Sequence, residues 1–402
     1  MNKPYHVFLY IVLLSALVLV SACIGGTNVS PDIGLSIREF SVDPKTVEAD
    51  DTVRFFLDAE NVGGTTAKCV TSELFGIEDW RDADGNPLSV FGTFTPRGIS
   101  FIFRDGSIEF CYWDYSKARQ ICIGYNKESG VSLDGFIGNS FFQFSNTFCN
   151  SLPADLQPAK IRFNPELTPP VPQRNTPGET FTPEWVLRPP VISEGLKQSY
   201  RVTARTSFFY TTNAKLNIET FSKAEYKRKQ DLGEQIMFPL DVVNSYAAPI
   251  SVYVSNGASP IIVNPDPNLG QVQTQNYIFE FRNVGSGFPL PFKGDVPGAS
   301  GPETESGFIL TTMKITGPGA TFYDCLGQQG NEIFIPPSGL ISNLVKIRGD
   351  NKARFGCQVA IDRSQWIDNP MGIISIEFNL FYRYYVDAET TVDVIGVEGL
   401  SR

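Results

Sequence analysis

The segment 52–64, TVRFFLDAENVGG, carries the pattern from which the rest of the fold can be predicted. Four apolar residues alternate with mostly polar neighbours along it: Val53, Phe55, Leu57 and Ala59. This period of two is typical of a β-strand that has one face in the core, and only Phe56 interrupts the polar face. The Asn-Val-Gly-Gly sequence that follows favours a turn.

The same pattern recurs in the second half of the chain. The opening segment 55–63, FFLDAENVG, is matched by 277–285, YIFEFRNVG, without a gap. The closing segment 202–214 is matched in the same way by 376–388, IEFNLFYRYYVDA. The closing segment follows the opening one at a greater distance in the first copy, which therefore has about 48 additional residues between them. Two copies of one β-sandwich, the first with an insertion, are the simplest explanation.

These repeats predict an all-β chain with two β-sandwich domains in tandem. Gly and Pro together make up 63 of the 402 residues, which suits short strands joined by turns. No amphipathic helix of ordinary length is evident. The predicted chain begins with a signal peptide or membrane anchor at 1–22 and a tether at 23–32. A first domain follows at 33–222, with an insertion at about 75–150, and a second domain lies at 249–402. The predicted linker between the domains, 223–248, begins with the charged segment KAEYKRKQD.

A family resemblance rests on the opening strands. A strand that ends in Asn-x-Gly is followed by a short loop, an alanine and a new strand, at Asn61, Gly63 and Ala67. In this respect the chain resembles the cell-adhesion-related, immunoglobulin-like domains of archaeal and bacterial surface proteins. The resemblance implies sandwiches of about a hundred residues and a cell-surface setting. It implies no particular activity, because one fold serves many functions.

The N-terminus has the plan of an export signal. Lys3 precedes an apolar run from Val7 to Val20, and the run ends in Ser-Ala-Cys23. Small residues before a cysteine resemble the lipobox of prokaryotic lipoproteins, so Cys23 is the predicted lipid-attachment residue. An uncleaved helix is an alternative, although 14 residues fall short of the roughly 18–20 that span a bilayer. A second alternative is that the signal is cleaved and Cys23 carries no lipid. All three place the chain at the extracytoplasmic face of the membrane or beyond it.

The remaining six cysteines are expected to form disulfides, as is usual in an exported chain. The favoured pairs are Cys69–Cys149, Cys111–Cys122 across a hairpin in the insertion, and Cys325–Cys357. The first four cysteines allow three pairings, and the other two pairings stay open. No Cys-x-x-Cys motif is present, so no metal site and no cofactor are predicted.

The single histidine, His6, lies in the signal. Its position excludes Ser-His-Asp, Cys-His and His-ligated zinc catalysis from the exported part. The net charge of −10 argues against a nucleic-acid partner. Carboxylate-only chemistry on envelope glycans stays open. Its conceivable acids are Glu109 with Asp114 and Glu303 with Glu305.

The leading hypothesis is a non-enzymatic, membrane-tethered surface protein whose partners are surface-layer or other envelope proteins, or glycans. Exposed loops on a rigid scaffold usually carry recognition, so the insertion is the predicted contact region. Its candidate sugar-stacking aromatics are Tyr112, Trp113, Tyr115 and Tyr125, which could equally pack a small satellite core. Asn28 lies in a glycosylation sequon, Asn-Val-Ser. A filament or envelope-assembly subunit is a further alternative.

Overall fold

The computed structural model describes residues 33–86, 88, 100–104, 107–114, 119–126, 161–234, 236, 238–289, 307–335, 346–347 and 351–397. The described chain is mostly β-structure, as the alternating sequence patterns predict. Within 100–126 the description is confined to the backbone.

The strands are numbered in chain order. Those of the first half are β1 (Leu35–Asp43), β2 (Thr46–Glu48), β3 (Val53–Asn61), β4 (Ala67–Phe75), β5 (Arg81–Asp82), β6 (Ser100–Arg104), β7 (Ser107–Asp114), β8 (Arg119–Asn126), β9 (Ile161–Leu167), β10 (Thr180–Phe181), β11 (Glu184–Arg188) and β12 (Lys197–Ser222). Those of the second half are β13 (Val242–Asn244), β14 (Ile250–Asn256), β15 (Ile261–Val263), β16 (Val272–Asn283), β17 (Phe288–Pro289), β18 (Gly307–Phe308), β19 (Leu310–Thr316), β20 (Ala320–Cys325), β21 (Gln328–Gly330), β22 (Glu332–Ile335), β23 (Lys346–Ile347), β24 (Lys352–Asp362) and β25 (Met371–Ile395). Short 3-10 helices lie at Pro172–Arg174, Pro267–Leu269 and Arg363–Trp366.

One central sheet joins the two halves. Its strand order is β22-β19-β25-β12-β4-β9. The long strands β12 and β25 pair antiparallel along their whole length, from Lys197 opposite Ile395 to Phe221 opposite Met371. The two closing segments that the repeat singled out are therefore direct neighbours in one sheet.

A local twofold axis runs between these long strands. Phe209 lies opposite Arg383 in the register. The same two residues are also equivalent in the repeat, when 202–214 is aligned with 376–388. When a residue lies opposite its own equivalent, the symmetry axis must pass midway between the two. The two copies are therefore related by a rotation of about 180° around a point between Phe209 and Arg383. The axis stands perpendicular to the sheet, as it must for an antiparallel pair of equivalent strands.

Two smaller sheets pack on the same face of the central sheet. The first has the order β1-β3-β11-β5 and the second β14-β16-β24-β20-β21. In the first half, Trp80 touches both Phe55 of β3 and Tyr200 of β12, with ring centroids 5.7 Å apart in each case. In the second half, Phe279 of β16 lies 5.0 Å from Phe378 of β25. The even-numbered side chains of β12 and β25 thus face the core, and the odd-numbered ones form an outer face.

Short strands also cross between the halves. Strand β2 pairs in parallel with the end of β25, and β15 pairs in parallel with the end of β12. Each follows a cis proline bond, Asp43-Pro44 in the first half and Ser259-Pro260 in the second. Each copy therefore adds a strand beside the long strand of the other copy. The predicted domain boundary at 223–248 stays a prediction.

The predicted linker begins with the α-helix of the described chain, α1 (Lys223–Asp231). Ser222 caps it by accepting a hydrogen bond from the backbone of Glu225, 3.3 Å away. Glu225 also pairs with Arg228 at 2.8 Å. None of the helical residues is buried. A helix is usually recognised in a sequence by a stripe of apolar residues. The segment KAEYKRKQD has no such stripe, which explains why the sequence did not predict this helix.

The cysteines lie where strand pairing can bring them together. Strands β7 and β8 form the hairpin expected in the insertion, with Cys111 directly opposite Cys122 in the backbone register. Their side chains lie outside the described part. Cys69 is disulfide-bonded, and its partner is not among the described residues. Cys325 and Cys357 face each other across β20 and β24, form a disulfide and are buried.

A buried carboxylate stabilises the second small sheet from its outer side. Glu280 is fully buried and accepts hydrogen bonds from the Nε atoms of Arg282 and Arg354. Burial by itself would raise the pKa of Glu280, but the hydrogen bonds and the positive charges of the two arginines together outweigh burial and hold the pKa below its usual value. A lowered pKa in the folded state contributes stability above the unfolded pKa, and this contribution is lost as the pH falls through the folded pKa.

We expect Glu280→Gln to lower the free energy of unfolding at pH 7 by about 1–3 kcal/mol, the range for hydrogen bonds to a charged group. The deficit should shrink as the pH falls below the unfolded pKa of about 4.5, because the unfolded carboxyl is protonated first and the folded one only at a lower pH. Urea unfolding at pH 7 and pH 3 measures both quantities. The exposed Glu194→Gln is the control and should change neither. A deficit that stays constant with pH would contradict this role of the charge.

Candidate functional site

A cleft of about 450 Å³ opens on the outer face of the central sheet, where the C-terminal part of β12 pairs with β25 and β25 pairs with β19. We call it the polar cleft. It is defined by two rows of side chains that run across β12, β25 and β19, namely Asn213, Asn379 and Thr312 in one row and Lys215, Glu377 and Lys314 in the other. Residues 243–245 form its rim.

The alternation of the three strands places these polar groups together. The core takes Ala214 and Leu216 of β12, Phe378 of β25 and Met313 of β19. Their neighbours along each strand must then point to the opposite face. In the register, Asn379 lies between Asn213 and Thr312, and the next row repeats this arrangement two residues further on.

The amide of Asn379 is the most informative group in the polar cleft. Its Oδ1 atom is buried and accepts no hydrogen bond from the described residues. The side chain of Asn213 likewise makes no hydrogen bond within the described part of the chain, and it is exposed. Buried polar atoms in folded proteins nearly always have a partner. An acceptor without one at the base of a cleft therefore suggests a ligand.

The charged side chains of the second row alternate in sign and continue onto β22. Lys215 Nζ lies 2.8 Å from Glu377 Oε1, and both side chains are about half exposed. Lys314 lies directly opposite Glu377 of β25 on one side and directly opposite Glu332 of β22 on the other. With Glu332 the row carries two positive and two negative charges, and no net charge. Glu377 is the single carboxylate among the described residues of the polar cleft, so no acid–base pair of the kind used by glycosidases is formed from them.

The place that the twofold axis relates to the polar cleft is filled by charged side chains. There Arg205 donates two hydrogen bonds to Asp387, both 2.8 Å long. The guanidinium group also lies 4.2 Å from the ring centre of Tyr385 and 5.3 Å from that of Phe75. The hydrogen bond from Arg205 to Asp387 raises the pKa of the arginine against the effect of burial. This bidentate pair leaves the first half without an amide that faces outward at these positions.

Two buried cations lie near the axis on the same outer face. Burial lowers the pKa of Arg383 to about 10, and Glu73 acts in the opposite direction. Arg383 donates a 2.8 Å hydrogen bond to Ser207 Oγ. Burial also lowers the pKa of Lys68 to about 8, against the effect of Glu166. Both side chains stay mainly protonated at pH 7. They lie between the polar cleft and the Arg205–Asp387 pair on the outer face.

The residues predicted from the sequence lie outside this site. Cys23 and Asn28 precede the described chain. The side chains of Tyr112, Trp113 and Tyr125, and all of Tyr115, are also outside the described part, as are the side chains of Glu109 and Asp114 and the whole of Glu303 and Glu305. The four aromatics stay a predicted binding surface, and the disulfides Cys69–Cys149 and Cys111–Cys122 stay predictions.

Sequence reasoning missed the polar cleft, although the repeat contained a signal for it. When 376–388 is aligned with 202–214, Arg205 corresponds to Asn379 and Asn213 corresponds to Asp387. Two positions that hold a charged pair in one copy and two amides in the other are candidates for a changed role. The described residues contain no cluster of His, Cys, Asp and Glu that could hold a metal ion. Nor does any helix within the described ranges have the length and apolar content needed to cross a membrane.

No family model matches the sequence, and no curated protein matches it either. Among solved structures, the chain is similar to a type II cohesin domain from the cellulosome of Acetivibrio cellulolyticus, with 12% identity over 44% of this chain and 74% of that one and a TM-score of 0.15. It is similar to the type II cohesin dyad from the adaptor ScaA scaffoldin of that organism, with 9% identity over 86% and 84% of the two chains and a TM-score of 0.16. It is also similar to the Enterococcus faecalis MSCRAMM ACE, with 8% identity over 92% and 96% and a TM-score of 0.13. These similarities to β-sandwich domains of bacterial surface proteins are weak, and at such TM-scores they carry no argument about what this chain binds.

Proposed function

We propose that this chain is a membrane-tethered, extracytoplasmic surface protein with a binding or adhesion role rather than a catalytic one. The observation that carries the proposal is the export signal ending at Cys23, placed ahead of an all-β body with a buried disulfide between Cys325 and Cys357. Disulfides persist in oxidising compartments outside the cytoplasm, so the bond agrees with the signal. The histidine-free sequence after residue 6 supports a role without acid–base catalysis by histidine.

The point where the tether meets the fold supports an orientation. The carbonyl of Gly34 accepts hydrogen bonds from the backbone of Val62 and Gly63, at 2.8 and 2.9 Å. Gly63 packs on the hydroxyl of Tyr210, whose side chain points to the core side of the central sheet. The chain therefore enters on the side opposite the polar cleft.

The length of the tether sets how far the body lies from the bilayer. Nine residues lie between Cys23 and Ile33, and the segment from Cys23 to Ile33 spans at most about 35 Å. Attachment on this side favours orientations in which the lipid at Cys23 and the polar cleft lie on opposite sides of the body, with the cleft facing partners outside the cell. Surface-layer proteins, other envelope proteins and glycans are the partner classes that this geometry would serve.

The anchor is tested by comparing native protein with a Cys23→Ser variant. We expect the mature wild-type chain to begin at a lipid-modified Cys23, with the other six cysteines bonded in non-reducing mass spectrometry. Cys23→Ser should move the protein from the membrane fraction to the soluble fraction. Cys69→Ser is the control and should leave the fractionation unchanged, because it removes one half of a disulfide without touching the anchor. A chain that starts at Met1 with free thiols would contradict both the compartment and the anchor.

A further inference from the structure

We propose that one end of the second small sheet docks on the anionic lipid headgroups of the bilayer to which the chain is tethered. We call this surface the basic patch, and its side chains are Tyr253 of β14, Arg282 of β16, and Lys352 and Arg354 of β24. The inference rests on the proposed function, because it assigns the tethered body a contact with its own membrane. It follows from the position of the patch, its charge and its absence from the first half.

The basic patch lies beside the point where the tether enters the fold. A Cβ atom on Gly34 would lie 2.5 Å from Pro249, so the start of the described chain packs against Pro249. Pro249 directly precedes β14, and Tyr253 lies four residues further along, about 13 Å away at the rise of a β-strand. Arg282 is nearer still, because its partner in the register is Ser251. The tether therefore keeps this end of the sheet within reach of the bilayer.

The basic patch faces away from the polar cleft. Phe279, Phe281 and Phe355 are buried, and the first two pack against Phe378 on the core side of the central sheet. Their neighbours along β16 and β24 must then point to the outer surface of the second small sheet. This surface and the polar cleft lie on opposite sides of the body, and the tether enters on the side of the patch.

A buried carboxylate fixes the two arginines of the patch. Glu280 accepts one hydrogen bond from the Nε atom of Arg282 and another from the Nε atom of Arg354. The guanidinium group of Arg282 also lies 4.2 Å from the ring centre of Tyr253. The two arginine side chains are still 45% and 55% exposed, and their terminal nitrogens make no hydrogen bond within the described part of the chain. Guanidinium groups held in this way are prepared for phosphate oxygens, which accept paired hydrogen bonds from them.

The described side chains at this end of the sheet carry a net positive charge. Lys352 lies opposite Arg282 and makes no ion pair with a described residue, so the three cations exceed the single carboxylate of Glu280 by two charges. The next carboxylates on this sheet belong to Asp324 and Asp362, four and eight residues further along the register of β24 than its arginine. At the rise of a strand these are distances of about 13 and 26 Å. Both exceed the screening length of about 8 Å at physiological ionic strength, so these acids do not cancel the patch.

The first half has no such patch. In the repeat, Asp58 and Glu60 take the places of Glu280 and Arg282. Glu60 is already paired with Arg38 at 3.0 Å. The shared fold therefore does not require positive charge at this position, and the second copy alone offers it.

The size of the attraction suits a contact that orients the body. A lysine or arginine close to an anionic leaflet strengthens partitioning about fivefold, so two net charges strengthen it roughly 25-fold. Tyrosine is also favoured at the level of the headgroups. An attraction of this size does not hold a chain on a membrane by itself, so the patch acts together with the lipid and does not replace it.

The test uses the mature chain with its Cys23 thiol coupled to a maleimide-bearing lipid, which reproduces the tether whatever the cell attaches there. The vesicles contain either phosphatidylcholine alone or phosphatidylcholine with about 30% phosphatidylglycerol, which gives a negative surface potential. A water-soluble N-hydroxysuccinimide ester modifies the lysines, and peptide mass spectrometry gives the rate at each. We expect Lys352 to react at least about threefold more slowly on the anionic vesicles than on the neutral ones. About 0.5 M NaCl should remove this difference, because salt screens the attraction.

Lys227 is the matched control within the same molecule. It lies on α1, is exposed and makes no ion pair within the described ranges, so its rate should be the same on both kinds of vesicle. Arg282→Gln removes one charge from the patch and should at least halve the protection of Lys352, whereas Lys227→Gln removes one charge elsewhere and should not change it. Melting curves show whether each variant is folded. Arg354→Lys keeps the charge and adds a second amine to the patch, which should be protected together with Lys352.

Three outcomes would overturn the proposal. Lys352 could react equally fast on both kinds of vesicle, or Lys227 could be protected as strongly as Lys352. Loss of the protection in excess inorganic phosphate, at constant ionic strength, would show a site for a small free anion in place of a bilayer. A native chain without a lipid at Cys23 would instead contradict the proposed tether alone, because the coupled chain does not depend on it.

Discussion

Residues 33–222 and 223–402, produced as separate chains, are expected to remain unfolded or to aggregate, although the sequence predicts a domain in each. The reason is the central sheet. Separation exposes one whole edge of β12 and of β25, which otherwise pair from Lys197 to Phe221 and from Met371 to Ile395. It also removes β2 and β15 from the long strands with which they pair. A long unpaired strand edge is a template for aggregation.

The packing at the axis gives the magnitude of the effect. Four fully buried rings from the two long strands meet there, namely Phe208, Tyr210, Tyr382 and Tyr384. Burial of each ring contributes about 1.5–3 kcal/mol, so the four together contribute roughly 6–12 kcal/mol. This equals the whole stability of a typical domain. Neither half is expected to keep a cooperative unfolding transition by itself.

Circular dichroism of each half and of the co-expressed pair tests this expectation. Co-expression should give a folded 1:1 complex. The control is the intact chain with a protease site inserted at 232–234, after α1, where the residues are exposed. The cut protein should stay assembled with a melting temperature close to that of the uncut chain. A half that is monomeric and melts cooperatively would show that the shared sheet is not needed for its fold.

The second large effect concerns the two equivalent glycines at the turn after each opening strand. A Cβ atom on Gly63 would lie 1.9 Å from the hydroxyl oxygen of Tyr210 and 2.9 Å from its Cζ. At Gly285 a Cβ atom would lie 2.5 Å from the hydroxyl oxygen of Tyr384. Both hydroxyls belong to buried rings and are hydrogen-bonded, to the backbone N–H of Thr65 and to Asn283 Oδ1. Neither tyrosine can move without loss of that bond and of its packing.

We expect Gly63→Ala to lower the free energy of unfolding by about 3–5 kcal/mol, through overpacking and an unsatisfied buried hydroxyl. Gly285→Ala should cost less, about 2–4 kcal/mol, because its Cβ has more room. Urea denaturation of each variant gives the values. Gly356→Ala is the control, since its Cβ would approach only the Tyr277 carbonyl, at 3.9 Å, and the change should be near zero.

A double mutant distinguishes this clash from a general loss of turn flexibility. Tyr210→Phe removes the oxygen that the new Cβ atom would meet, so it should recover part of the loss caused by Gly63→Ala. Recovery stays partial because the Cζ atom is also close. Additive effects of the two substitutions would mean that Gly63 is required for its backbone conformation and not for the space that it leaves to Tyr210.

Local patterns in the sequence determined the strands and their faces. The alternation in 52–64 predicted β3, and Val53, Phe55, Leu57 and Ala59 are all buried in the structure. The repeat predicted that 376–388 and 202–214 are equivalent strands, and both lie within the long strands at the axis. The cysteine spacing predicted the hairpin in which Cys111 lies opposite Cys122. Each of these features depends on residues close in the chain, so each leaves a trace in the order of apolar and polar residues.

Only the tertiary structure decided which strands are neighbours. Alternation shows which face of a strand is buried, but backbone hydrogen bonds are nearly the same for every residue type, so it does not show which strand pairs with which. The pairing of β12 with β25, which joins the two predicted sandwiches in one sheet, therefore had no local signature. The polar cleft follows from the same long-range choice. Asn213, Asn379 and Thr312 are far apart in the chain and meet because three registers align, and a shift of one residue in any of them would turn that strand's side chains to the other face.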